Sequence, residues 1–300
     1  MTALVHRRSG RNSTSGINVL VAGASSQQLG AAVGASLFPV LGPVGVIALR
    51  QLVMAAVHLP LGRPPLRSLS RRQLGLGVAL GLVMGMMNLT LYFSIERIGL
   101  GLAVTLEFLG PLALALISSR RAVNAVCAVV AGAGVFVLAG PQASNDLVGI
   151  GLGLAAAACW AGYILVNRAA GASLPGLQAS AIAAATSAII FVPVAVFVVD
   201  FDAVTPAVLG LGVLAGILSS ALPYAADIFV LRRMPAGLYA LMVSVNPVLA
   251  ALAGFILLAE SLAALELAAI AMITLANVAA VAAMQREVSR QPGLAQAERG

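Results

Sequence analysis

The chain has 300 residues, of which 61% are hydrophobic and only 9% charged, with a formal net charge of +7. Soluble domains carry about 45–50% apolar and about 25% charged residues, so this composition excludes a soluble enzyme, a DNA-binding protein and a disulfide scaffold. A bilayer-spanning helix uses about 20 apolar residues, so ten spans take roughly 200 and leave roughly 100 for tails and turns.

Apolar runs follow one another at about 17–39, 42–61, 74–95, 99–119, 122–140, 147–168, 177–199, 206–230, 235–258 and 264–284. Basic residues precede the first run, as in a signal peptide. It is nevertheless longer than a signal's apolar region and holds Gln27 and Gln28 at its centre, which predicts an uncleaved first span. The sequence therefore predicts an all-α polytopic membrane protein with ten transmembrane helices.

The strong bases are all arginines. With the N-terminus on the cytoplasmic side and ten alternating spans, the cytoplasmic segments collect Arg7, Arg8, Arg11, Arg63, Arg67, Arg71, Arg72, Arg120, Arg121, Arg168, Arg232, Arg233, Arg286, Arg290 and Arg299. The opposite side receives Arg97 beside Glu96, together with Asp146, Asp200, Asp202, Glu260 and Glu266. Such segregation follows the positive-inside rule. It predicts cytoplasmic tails at 1–16 and 285–300, and makes the basic balance a topology signal that calls for no nucleic-acid partner.

A shift of 136 residues brings Arg97 onto Arg233, Gly101 onto Gly237, Leu102 onto Leu238, Pro111 onto Pro247, and Ala115-Leu116 onto Ala251-Leu252. The chain thus divides into five-span repeats at 17–140 and 147–284. An odd number of spans inverts the second repeat, a plan shared by many secondary transporters, whose substrate site lies near the midplane between the halves. Gly77, Gly81 and Gly85, Gly30 and Gly34, Gly149 and Gly153, and Gly212 and Gly216 form small faces suited to close helix packing in lipid. No Gly-rich loop ends in Gly-Lys-Ser/Thr. Cys127 and Cys159 lie in apolar runs, and His6 and His58 lie near segment ends, so neither a metal site nor a cofactor is expected.

Ionisable groups inside a bilayer cost about 2.5–3.5 kcal/mol each on insertion scales, and they usually face a partner or a wet cavity. Arg50 lies eight residues after Gly42 and Glu107 eight after Gly99. At a rise of about 1.5 Å per residue both groups sit about 12 Å deep. Two readings stay open: a structural ion pair, or groups facing substrate or a coupling proton. Asp227 lies close to Arg232 and Arg233, where it either pairs at the cytoplasmic mouth or takes a substrate ammonium or a proton. Its neighbours Pro223 and Tyr224 suit an inward-facing gate.

Gln27, Gln28, Asn88, Trp160, Tyr163 and Asn246 gather at similar depth on several spans, as interhelical glue or as a cavity lining. Gly110-Pro111 and Asn246-Pro247 occupy equivalent places in the two repeats. Each proline frees a carbonyl one turn earlier, which lipid tolerates only where that group is buried in protein or lines a cavity.

Several stretches together resemble the drug/metabolite transporter superfamily, in particular its EamA-type ten-helix members and, within them, the bacterial threonine/homoserine exporters. In the first half they are Ser36-Leu37-Phe38-Pro39, Ala48-Leu49-Arg50, Gly85-Met86-Met87-Asn88 with Tyr92, Leu106-Glu107-Phe108 with Gly110-Pro111-Leu112-Ala113, and Ser118-Ser119-Arg120-Arg121. The second half adds Cys159-Trp160-Ala161, Tyr163-Ile164-Leu165, Ala221-Leu222-Pro223-Tyr224, and Pro247 with Glu260-Ser261-Leu262. The chain departs from the exporter pattern in carrying Asp227 in place of Glu, and Asn246 where an acid usually precedes the proline.

The resemblance implies a bacterial cytoplasmic-membrane exporter of small amino acids or related metabolites, working by alternating access and driven by protons. Arg50 or freed amides would take a substrate carboxylate, and Glu107 or Asp227 its ammonium. Proton coupling needs a buried carboxylate that releases its proton near neutral pH, and Glu107 is the first candidate. The alternatives are the same fold with a drug, nucleotide-sugar or lipid-linked cargo, a non-transporting scaffold, and an intramembrane enzyme, for which a buried nucleophile–base pair is missing. A homo-oligomer is compatible with the sequence.

Overall fold

The computed structural model describes residues 22–118, 122–138, 146–225, 244 and 246–290. Both expected tails except 285–290, Arg120, Arg121, Asp227, and the repeat positions Arg233, Gly237 and Leu238 lie outside the described residues.

Among the described residues all regular structure is helical. The helices are α1 (22–35), α2 (Phe38–Gly62), α3 (Arg71–Ile98), α4 (Leu100–Glu107), α5 (Leu109–Ser118), α6 (Ala122–Leu138), α7 (Leu147–Ser173), α8 (Gln178–Val198), α9 (Pro206–Gly216), α10 (Asn246–Leu258) and α11 (Ala264–Arg290). A π turn, Ile217–Ala221, continues α9, and helix resumes to Ala225. Six stretches are long and apolar enough to cross a bilayer unaided: α2, α3, α7, α8, Pro206–Ala225 and Ala264–Ala282.

The boundaries follow local chemistry. Ser70 and Gln73 form a capping box at the start of α3, satisfying two orphan N–H groups of that helix end. Asp146 accepts from Gly149 N–H to start α7, and Thr205 from Val208 N–H to start α9, where Pro206 takes the first helical position. The first run ends earlier than expected, in a turn at Ser36-Leu37, because Pro39 belongs to the first turn of α2. Gly42, with φ 61°, kinks α2, and Gly99, with φ 82°, separates α3 from α4. The fourth run is two helices broken at Phe108, and α11 continues past 284 to Arg290.

The spans pair between halves. The second packs on the seventh (α2 on α8), the third on the sixth (α3 on α7), the fourth on the ninth (α4 on α10), and the fifth on the tenth (α6 on α11). The first meets the eighth, where Ser26 Oγ donates to the Leu218 carbonyl at 2.8 Å. Numbering each half one to five, first meets third, third meets first, and second, fourth and fifth meet their counterparts. Exchanging the halves leaves that set unchanged, as a twofold axis between inverted repeats requires.

Glycine faces make these approaches. A Cβ on Gly77, Gly81 or Gly85 would lie 2.6–2.7 Å from Ile182, Ala183 or Phe191 of α8, closer than side chains tolerate. A Cβ on Gly110 would overlap the Ala157 carbonyl of α7. Two large apolar clusters fill opposite ends of the bundle, one including Ile47, Ala48, Leu91 and Tyr92, the other Met54, Leu80 and Met84. Arg50 and Asn88 fall between them along α2 and α3, so buried polarity collects where the apolar core divides.

Candidate functional site

Buried backbone carbonyls need partners, and the eighth span exposes several. The π turn sends the Leu222 N–H to the Ile217 carbonyl. Pro223 has no N–H to give to the carbonyl four residues earlier, that of Ser219. The groups released are taken by the first and second spans. Ser26 donates to Leu218, and Arg50 donates from Nη2 to the Ser219 carbonyl and from Nε to Ser220 Oγ, both at 3.2 Å. His58, two turns below Arg50 on α2, places Nε2 3.1 Å from the Ala221 carbonyl.

Arg50 is 5% exposed and its guanidinium lies over the Tyr92 ring, 4.8 Å from the centroid. Tyr92 is fully buried, packs edge-on against Phe38 at 5.3 Å, and turns its hydroxyl toward Gly34, whose Cβ position is 2.8 Å from that oxygen. Only glycine on α1 leaves room for the phenol. Glu107 ends α4 and is 7% exposed. It lies within electrostatic reach of Arg50 and Tyr92. No carboxylate among the described residues comes within 4 Å of Arg50, and the described ion pairs reduce to Arg97–Asp146. The structural ion pair open in the sequence is therefore not formed: Arg50 is held by serines, a carbonyl and an aromatic face.

The helix break explains why Glu107 stands apart. Pro111 cannot donate to the Glu107 carbonyl, and α4 stops there, with Phe108 in a turn before α5. The shift of 136 residues places Ser244, also in a turn, opposite Phe108, just before Asn246 and Pro247 of α10. Phe108 stands at right angles to Trp160 of α7, 4.4 Å between centroids. Cys159 beside it lies within electrostatic reach of Glu107.

The other expected residues divide. Tyr163 and Tyr224 meet edge-on at 6.1 Å, linking the sixth and eighth spans next to the buried Pro223. Gln28 on α1 and Asn246 at the head of α10 are buried, and Asn246 keeps Oδ1 without a partner. Pro247 is buried beside it. Asn88 is buried but donates to the Met84 carbonyl of its own helix at 2.8 Å, so that donor is spent within α3. The sequence reading passed over Tyr92, Ser219, Ser220 and His58 as site residues. Two adjacent serines in an apolar run, four and three residues before a proline, were the available signal.

Outside the spans, Glu260 accepts from Leu100 N–H at 2.8 Å and caps α4 across the Gly99 corner. Burial pushes its carboxyl above the usual range, against the pull of the Leu100 and Gly101 N–H groups. Asp146 is held below the usual range by the Gly149 N–H and then by Arg97, which donates to it at 2.9 Å.

Comparison with known proteins agrees with this architecture. Residues 147–281 match the model of the EamA-like transporter family. Threonine/homoserine exporters RhtA of Salmonella typhimurium and Escherichia coli K12 are 38% identical over 275 residues, covering 90% of this chain and 92% of theirs. A crystal structure with 20% sequence identity superposes with a TM-score of 0.61 over 89% of this chain and 97% of that one, a likeness of fold. The chain is an all-helical, multi-pass membrane protein that belongs to the EamA-like transporter family, within the drug/metabolite transporter superfamily.

Proposed function

We propose that the protein exports small amino acids of the threonine and homoserine kind across the bacterial cytoplasmic membrane. The observation that carries this reading is a buried base and a buried acid, Arg50 and Glu107, that form no ion pair within 4 Å. A buried charge without a counter-ion is costly, and a zwitterion supplies both missing partners at once. Its carboxylate meets the remaining guanidinium donors of Arg50, and its ammonium meets Glu107. Phe108 and Trp160 beside Glu107 bound the space left for a side chain. One buried cation suits one carboxylate and does not suit a nucleotide-sugar.

In this reading the repeats are 17–140 and 147–284, both termini are cytoplasmic, and the paired breaks at Phe108 and Ser244 bend as access alternates. Protons drive the cycle through Glu107, which releases its proton to the cytoplasm as it takes substrate ammonium there, and on the outer side exchanges that ammonium for a new proton. The identity to RhtA over nearly the whole chain supports the cargo class. The test is a proteoliposome assay with radiolabelled threonine, homoserine and a panel of other amino acids under an imposed pH gradient. Expected are counterflow of small hydroxy amino acids, its loss in R50Q, and loss of gradient dependence in E107Q. Transport unchanged in both variants would overturn the reading.

A further inference from the structure

His58 is an imidazole in an apolar span, fully buried, and tied to two other helices. It deepens the transport reading above and rests on it only for its role in the cycle. A carbonyl oxygen can only accept, so the Nε2 that lies 3.1 Å from Ala221 O carries a hydrogen. Nδ1 is then the position whose state can vary. It lies 3.0 Å from Ser180 Oγ on α8, and that hydroxyl also reaches the Leu177 carbonyl at 3.1 Å.

Ser180 has one hydrogen for these two acceptors. With neutral His58, Ser180 donates to Nδ1 and leaves Leu177. With the imidazolium, Nδ1–H donates to Ser180 Oγ, and Ser180 donates to Leu177. In both states the Leu177 carbonyl keeps the Ala181 N–H, which donates to it at 2.8 Å, so neither charge state leaves it without a partner. The cluster accepts either charge state by reversing a single hydroxyl.

The second feature is what His58 holds. Arg50 and His58, eight residues apart on α2, grip consecutive residues of one distorted turn: Ser219, Ser220 and Ala221. A change at His58 therefore acts on the same π turn that positions Arg50. Gly62, one turn further along α2, packs so closely that a Cβ would lie 2.9 Å from the Leu177 carbonyl. The titratable and charged groups facing this cluster are few. α8 carries none over Gln178–Val198. α3, which packs on α2 and α8, carries Arg71 and Arg72 in its first turn, and α7 carries Tyr163 and Arg168. The eighth span carries Tyr224 up to Ala225, and α2 adds Arg50 and the C-cap Arg63, whose Nε turns back to the Pro60 carbonyl. Asp227 follows in the chain, outside the described residues.

We propose that His58 is a proton-binding residue of the transport cycle, whose charge state is relayed through Ser180 and the Ser219–Ala221 turn to the grip on Arg50. No covalent step is involved: one proton is taken up at Nδ1 and returned from it.

The chain has two histidines, His6 and His58, so full-length protein with H6A labelled with ¹⁵N-histidine reports one ring. Expected are an Nε2–H tautomer at high pH and conversion to imidazolium within the range of about pH 5 to 8 where histidine ordinarily titrates. S180A displaces that titration by about one unit, the worth of a hydrogen bond to a charged group. H58Q keeps a donor toward Ala221 without a titrating ring, and in proteoliposomes its transport stays measurable while one limb of the pH profile flattens. A ring that stays in one state across that range overturns the proposal, as does an H58Q pH profile identical to the parent's. If the protein moves no amino acid at all, the labelled-ring titration still decides whether His58 binds a proton, and failure of the transport reading is separated from failure of this one.

Discussion

The Arg50 guanidinium lies over the Tyr92 ring, 4.8 Å from its centroid, while its hydrogen-bond partners come from the eighth span. A planar fork that both stacks and donates in two directions is not replaced by a lysine ammonium. R50K and R50Q are each expected to lower amino-acid export by about tenfold or more, the equivalent of one lost charge-assisted contact. Y92F keeps the aromatic face and retains most activity, whereas Y92A does not. Initial rates in proteoliposomes distinguish these outcomes.

Glu107 and Arg50 form no ion pair within 4 Å but lie within electrostatic reach of each other, so their substitutions are expected to couple only weakly on stability. E107Q removes a buried carboxyl that has no ion-pair partner, and it leaves the melting temperature unchanged or raises it while export falls. The R50Q/E107Q double variant adds the two single effects to within about 0.5 kcal/mol. A larger coupling energy, measured by thermal unfolding in detergent, would identify a direct ion pair.

Trp160 is the single tryptophan of the chain and stands 4.4 Å from Phe108 at the break of the fourth span. Its emission reports the surroundings of Glu107 without any label. Adding a transported amino acid is expected to shift or quench that emission saturably, and R50Q abolishes the response. A response that persists in R50Q places the substrate elsewhere.

The Asp146–Arg97 pair supplies a pH signature. The folded-state pKa of Asp146 is depressed, chiefly by the Gly149 N–H and then by Arg97. Its contribution is therefore fully present above the unfolded value of about 3.9 and is lost as pH falls through the lower folded value. Parent protein should melt higher than D146N at neutral pH, with the difference shrinking below about pH 4.

Glu260 holds the start of α4 from the far side of the ninth span. E260Q keeps an oxygen for Leu100 N–H and is expected to fold with near-parental stability, whereas E260A opens that helix end at a cost of about 1–3 kcal/mol. Melting temperatures of the two variants side by side give the comparison.

The architecture was largely legible because lipid imposes it. Ten apolar runs, the Gly77–Gly81–Gly85 face and the Pro111/Pro247 repeat are linear patterns that need no knowledge of rotation about a helix axis. The partner of Arg50 was not legible for the opposite reason. Equal depth pointed to Glu107, but depth fixes only one coordinate, and the rotation of α2 turns the guanidinium to Ser219 and Ser220 instead. His58 was set aside as lying near a segment end, yet α2 continues to Gly62 and buries it completely. Asn88, open in the sequence as interhelical glue or as a cavity lining, donates back to the Met84 carbonyl, a local competitor that no spacing rule reveals.

The crossed pairing of the spans also bears on how the chain is made. The third span finds its broad glycine face covered by α8 and packs also on α7, and the second lies against α8, all from the later half. During synthesis the first five spans therefore enter the bilayer with their closest contact surfaces still unmatched, and the bundle closes only when the sixth to eighth spans emerge. A ribosome stalled after the fifth span would release a chain whose most intimate surfaces face lipid.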